Sequence, residues 1–146
     1  MLYRKAYDRL LEWKGQPKRK ALCIMGARQI GKTTLIRQFG KEQYSCFVEI
    51  NFITDTDATK IFAGNLDANT IITNLTAYTR KPMIPGNTLV LLDEIQACPN
   101  ARTAIKFLVE DGRFDYIESG SLLGVRHKEV RSYPVGFEEL YQMYPM

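Results

Sequence analysis

Apolar and polar residues follow one another along the chain in short segments that predict strands separated by helices. Buried strands are predicted from apolar runs or strict alternation at residues 21–25, 47–52, 88–92 and 114–119. Helical spacing of apolar residues occurs at 3–13, from the loop after residue 26 to Gly40, in two pieces within 55–80, and at 100–112. Because parallel strands need long crossover connections, this alternation predicts an α/β fold with a parallel sheet flanked by helices.

The loop after the first predicted strand reads GARQIGKT at residues 26–33, which is the Walker A pattern GxxxxGKT. Glycines let successive backbone N–H groups point at phosphate oxygens, at the positive end of the following helix. Lys32 can reach the β- and γ-phosphates, and the Thr33 hydroxyl can ligate Mg²⁺. The predicted nucleotide-binding residues are Gly26, Ala27, Arg28, Gln29, Ile30, Gly31, Lys32, Thr33 and Thr34. Arg28 either contacts phosphate or pairs with an acid.

The third predicted strand ends in two acids, within the sequence LVLLDE at residues 89–94. Alone, this pattern is common at strand ends, but downstream of a P-loop it predicts a Walker B motif. Asp93 is suited to hold Mg²⁺ through water, and Glu94 to orient or deprotonate the water that attacks the γ-phosphate. Ser119 and Ser121 follow the fourth strand and either contact the γ-phosphate or the attacking water, or make a turn.

Two absent signals separate the classes of P-loop protein. The chain has no NKxD tetrapeptide, the guanine-reading motif of GTP-binding switch proteins. Gln29 occupies the position at which small-molecule kinases often carry a third glycine. The sequence therefore favours ATP hydrolysis over GTP hydrolysis or phosphoryl transfer to a metabolite.

Composition is that of an ordinary globular domain: 146 residues, 45% apolar and 25% charged. The sequence shows neither a signal peptide nor an apolar run long enough to span a bilayer. Its three cysteines show no metal-ligand spacing, which fits a reducing compartment. A cytoplasmic protein without a membrane partner is therefore expected. The formal charge of +4 and a basic cluster fit either a solvated loop or a nucleic-acid partner. The cluster comprises Lys14, Lys18, Arg19 and Lys20.

With these motifs in place, the sequence resembles a family of prokaryotic AAA-type ATPases. The matching segments are GARQIGKTTL (26–35), LVLLDEIQACP (89–99), the segment around Lys106, ESGSLLG (118–124) and YPVGFEELYQMYPM (133–146). The resemblance implies a P-loop fold with sheet order 5-1-4-3-2, ATP binding with Mg²⁺, and Ser119 or Ser121 in a sensor role. The resemblance also places Gln96, the last residue of DEIQ, on a position of a family motif, but it assigns this residue no role.

Members of that family usually carry a C-terminal domain that resembles restriction endonucleases, and they continue past the point at which this chain ends. The chain is therefore expected to be an N-terminal fragment: a helix and basic linker at 1–20, then an incomplete P-loop core at 21–146 with the fifth strand missing. The favoured function is Mg²⁺-dependent ATP hydrolysis in the full-length parent, driving or gating the C-terminal domain. A slow nucleotide-dependent switch and a DNA-dependent ATPase are the alternatives. Arg126 and Arg131 are either arginine fingers or, as the sequence favours, residues of a solvated loop.

Overall fold

The computed structural model describes residues 2–26, 31–121 and 136–143, which form a parallel sheet flanked by helices. The α-helices of these residues are α1 (Leu2–Lys14), α2 (Lys32–Gln43), α3 (Ala68–Thr79) and α4 (Pro99–Asp111). The strands are β1 (Ala21–Gly26), β2 (Cys46–Asn51), β3 (Thr88–Asp93), β4 (Asp115–Ser121) and β5 (Glu138–Gln142). Two 3-10 segments, Thr56–Phe62 and Ile95–Ala97, follow β2 and β3. The α/β class predicted from the alternation is thus confirmed.

The sheet order is β5-β1-β4-β3-β2, with every neighbouring pair parallel. This confirms the predicted order 5-1-4-3-2, but the expectation that the fifth strand is missing was wrong. Strand β5 carries two glutamates and no apolar run, so local hydrophobicity does not identify it. Its charges are compensated from elsewhere, because Glu138 pairs with Arg102 of α4 and Glu139 pairs with Arg9 of α1.

Helices α1 and α2 cover one face of the sheet. The core of this face is formed by buried residues of both helices and of β1, β3 and β4, among them Ala6, Leu10, Trp13, Leu22, Leu35, Phe39 and Leu91. The indole Nε1 of Trp13 donates to the Lys20 carbonyl oxygen at 2.7 Å, which ties the end of α1 to the start of β1. Leu11 of the same helix is 39% exposed, whereas Trp13 is fully buried.

Helices α3 and α4 and the two 3-10 segments cover the opposite face. Here the packed residues include Val48, Ile50, Phe62, Ile71, Val90, Leu92, Ile105 and Leu108. Both faces of the sheet are therefore buried, as its parallel strands require. None of the helices in the described ranges is both long and apolar enough to cross a membrane.

Strand register aligns the carboxyl ends of neighbouring strands. Asp93, the last residue of β3, is paired with Asn51 on β2 and with Ser119 on β4. Gly26, the last residue of β1, is paired with Ser121. Ligands of open α/β sheets bind beyond these ends, so the register itself brings the polar residues of three separate strands together.

Candidate nucleotide-binding site

The segment predicted to bind phosphate lies between β1 and α2. Gly31 precedes the helix with φ 85° and ψ 10°, a left-handed conformation that glycine adopts without strain. Lys32 is the first helical residue and is only 6% exposed, and its ammonium Nζ donates to the Gly26 carbonyl oxygen at 3.1 Å. The N–H groups at the beginning of α2 and the Lys32 charge thus lie together, an arrangement that favours phosphate groups.

Asp93 is the centre of the acidic side of the site and is 4% exposed. Its Oδ2 accepts from the Thr33 hydroxyl at 3.3 Å and from the Asn51 amide at 3.4 Å. Its Oδ1 accepts from the Ser119 hydroxyl and from the backbone N–H of Glu94 at 2.9 Å. Four donors from four segments therefore fix this carboxylate against the first turn of α2.

The residues beside Asp93 suit a hard divalent cation. The Thr33 hydroxyl and the Asp93 carboxylate present oxygen atoms to the same cleft, and Mg²⁺ is bound in proteins through one or two such ligands together with phosphate oxygens and water. No thiol or imidazole lines the cleft among the described residues. The donor set therefore fits Mg²⁺.

Glu94 has an unusual backbone for its residue type. With φ 56° and ψ 49° it lies in the left-handed region, which costs a residue other than glycine about 1–2 kcal/mol. It caps the 3-10 segment Ile95–Ala97 and is 8% exposed. Its carboxylate Oε2 accepts from Gln96 Nε2 at 3.4 Å. Strained residues held by their surroundings are concentrated at functional sites, and this one immediately follows Asp93.

These elements enclose a cleft of about 320 Å³ at the carboxyl edge of the sheet. It is lined by Gly31, Lys32, Thr33, Thr34, Asn51, Ile53, Thr54, Asp93 and Glu94. The structure thus brings residues 31–34 of the predicted loop close to Asp93 and Glu94, the two acids predicted from the third strand. Ser119 does not line the cleft; it is fully buried behind Asp93. Whether it senses the γ-phosphate stays a prediction.

Sequence reasoning missed the contribution of the segment after β2. Asn51 donates to Asp93, and its own Oδ1 accepts from the N–H groups of Ile53 at 2.9 Å and Thr54 at 3.0 Å. Asn51 could have been recognised as the polar residue that ends an alternating strand, because ligands of open α/β sheets bind beyond the carboxyl ends of the strands.

Several predicted residues fall outside the described part of the chain. Of Ser121 only the backbone is described, at the end of β4 beside Gly26. The other predicted residues outside the described ranges are Ala27, Arg28, Gln29, Ile30, Arg126 and Arg131.

Comparison with known proteins bears on the family and the fold of the chain. Residues 18–146 match the family AAA_14, whose description is "AAA domain". The Orc1 protein of Aeropyrum pernix, solved in complex with DNA, is similar in structure with a TM-score of 0.52 and 16% sequence identity. That similarity covers 96% of this chain but only 44% of the Orc1 chain, so it concerns the fold alone. No curated protein matches the chain.

Proposed function

Because the chain belongs to the AAA domain family, we propose that it binds ATP with Mg²⁺ and, in its full-length parent, hydrolyses ATP to ADP and phosphate. The observation that carries the proposal is the convergence of Lys32, Thr33, Asp93 and Glu94 on one cleft. A lysine, a hydroxyl, a metal-binding carboxylate and a second carboxylate are the four groups that P-loop ATP hydrolysis requires.

In this proposal, the N-terminal turn of α2 binds the phosphates. Lys32 exchanges its contact with the Gly26 carbonyl for oxygens of the β- and γ-phosphates, and the N–H groups of the first turn donate to the same anion. Thr33 and Asp93 would hold Mg²⁺, which would supply positive charge to stabilise the phosphates. Ser119 and Asn51 keep the Asp93 carboxylate oriented through their hydrogen bonds.

Glu94 is the proposed general base. Its carboxylate accepts a proton from a water molecule as the water oxygen forms a bond to the γ-phosphorus. The bond between that phosphorus and the β,γ-bridging oxygen breaks, and its electron pair leaves with ADP. Two observations support this assignment: Glu94 lines the cleft directly after Asp93, and its backbone is held in the left-handed region.

The larger role rests on the family resemblance. We propose that the described domain is the N-terminal ATPase part of a longer protein whose C-terminal, restriction-endonuclease-like domain is driven or gated by hydrolysis. The alternative is a slow switch at the same site, in which nucleotide binding alone changes the affinity for a partner domain.

Turnover and binding measured on the same variants test the proposal. Glu94→Gln should retain Mg²⁺-dependent ATP binding, because the P-loop and Asp93 are unchanged. Its kcat should fall about 10²- to 10⁴-fold, which is the usual contribution of a general base. Glu12→Gln, in which an exposed glutamate of α1 loses the same charge, is the matched control and should change neither quantity.

The outcomes separate the candidate functions. ATP binding without turnover in the wild-type full-length parent would favour the switch and refute hydrolysis. Turnover that appears only with DNA at low salt would favour a DNA-dependent ATPase, because phosphate contacts are strongest there. Absence of ATP binding would refute all three.

A further inference from the structure

The side-chain amide of Gln96 lies between Glu94 and the end of β4. Its Nε2 donates to Glu94 Oε2 at 3.4 Å. Its Oε1 is buried and accepts no hydrogen bond from the described residues. Leaving a buried acceptor without a donor costs stability, so fold stability does not account for this amide. An amide that is costly to the fold and bonded to the proposed base points to a role in the site.

Gly120 makes the position of this amide possible. A Cβ atom on Gly120 would lie 2.7 Å from Gln96 Oε1, closer than real Cβ contacts, whereas the next atom, Met25 Cε, would be in ordinary contact at 3.5 Å. Gly120 follows Ser119, whose hydroxyl holds Asp93. The amide therefore occupies a space that exists only because residue 120 has no side chain.

We propose that Gln96 is a positioning residue that holds the Glu94 carboxylate in place against the end of β4, in the space left by Gly120. The orientation of the amide is dictated by charge, because Nε2 donates to the carboxylate whereas Oε1 would repel it. The inference rests on the proposed function, since Glu94 is the base only if ATP is hydrolysed.

Substitutions at Gln96 should separate binding from turnover. Gln96→Ala should lower kcat about tenfold, because a loosely held base spends less time in the reactive position. The Kd for ATP with Mg²⁺ should stay within about twofold, because Gln96 does not line the phosphate cleft. Gln96→Met fills the same volume without a donor, so it should lose as much turnover as Gln96→Ala while keeping the packing.

Gln38→Ala is the matched control. The Gln38 amide also donates to a glutamate, Glu42 Oε2 at 3.3 Å, but on the exposed side of α2. Loss of this bond should leave both kcat and Kd within twofold of the wild-type values. A loss of turnover in this variant comparable with that of Gln96→Ala would overturn the assignment.

Gly120→Ala gives an independent test. Its Cβ should displace the Gln96 amide, which is the flexible end of a side chain, and lower kcat about as much as Gln96→Ala does. In the double variant, Gly120→Ala should cause no further loss of turnover beyond that of Gln96→Ala. The Gln96 Oε1 atom, which the new Cβ would displace, is already absent. Additive losses would overturn the inference.

The series distinguishes this inference from the proposed function. An active wild-type protein, an inactive Glu94→Gln variant and a fully active Gln96→Met variant would overturn the role of Gln96 alone. A wild-type protein that does not hydrolyse ATP would overturn both. A variant whose kcat and Kd worsen together would show that Gln96 supports the cleft rather than the base, and would also overturn it.

Discussion

The buried carboxyl pair beside β5 leads to a sharp prediction about stability. Glu118 on β4 is fully buried, and neither of its oxygens accepts a hydrogen bond from the described residues. Glu138 on β5 accepts from Arg102 at 2.8 Å through Oε1, whereas its Oε2 has no donor in the described ranges. Burial, and then the neighbouring Glu138 carboxylate, raise the pKa of Glu118 well above its usual value.

We expect Glu118→Gln to stabilise the protein above neutral pH. The new amide can donate to Glu138 Oε2, and a hydrogen bond to a charged group contributes about 1.5–3 kcal/mol. Because the pKa of Glu118 is raised on folding, its protonated form contributes stability that is complete at acidic pH and is lost as the pH rises through the raised value. The variant should therefore be more stable by about 1.5–3 kcal/mol at pH 8 and nearly equal to wild type at pH 4, where Glu118 itself donates.

Urea unfolding of both proteins between pH 4 and pH 8 measures this difference. Glu138→Gln is the control, because it removes the charge that Arg102 neutralises and should destabilise the protein. A Glu118→Gln variant that is less stable than wild type at pH 8 would refute the reasoning. A difference that is constant across the pH range would refute it as well, since ionisation of Glu118 would then play no part.

Two further predictions concern the site and the core. Lys32→Ala should weaken ATP binding at least tenfold, because a charge within about 4 Å of the phosphates contributes several kcal/mol near a protein surface. Lys41→Ala, on the exposed side of the same helix, should leave ATP binding unchanged. If calorimetry gave the same Kd for ATP in Lys32→Ala as in the wild type, the role of Lys32 would be contradicted. Trp13→Ala should cost about 3–5 kcal/mol in the free energy of unfolding, since Trp13 is fully buried and bonded to Lys20; a loss below 1 kcal/mol would contradict its place in the core.

The strands of the sheet centre could be predicted because their signal is local. An apolar run of four or five residues identifies β1 and β3 wherever they lie, and the loop GARQIGKT identifies the strand that it follows. Strand β5 could not be recognised in the same way. Its glutamates are acceptable only because Arg9 and Arg102, far away in sequence, lie beside them. The fold completes this edge by long-range charge pairing, which no local pattern contains.

The same limit applies to the site. Lys32, Thr33, Asp93 and Glu94 were predicted from two motifs, each contained in one short segment. The neighbourhood of Gln96 and Gly120 depends instead on where β4 lies relative to the turn after β3. Likewise, the motif gives no indication that the Glu94 backbone is left-handed. Motifs therefore identify the groups that act, whereas the contacts that orient them follow from the register of the sheet.

Strand β5 connects the acidic pair to the nucleotide site. Strand β5 pairs with β1, whose last residue, Gly26, accepts the hydrogen bond from Lys32. Next to Gly26, the Met25 carbonyl oxygen accepts from the Met143 N–H at 2.8 Å. Support for the proposed phosphate loop on this side thus comes from β5, the strand that carries Glu138 of the acidic pair. Because ionised Glu118 repels Glu138 across β1, we expect alkaline pH to weaken the β1–β5 pairing first. The phosphate loop would lose support on that side while the β2–β3 pairing, which holds Asp93, stays intact.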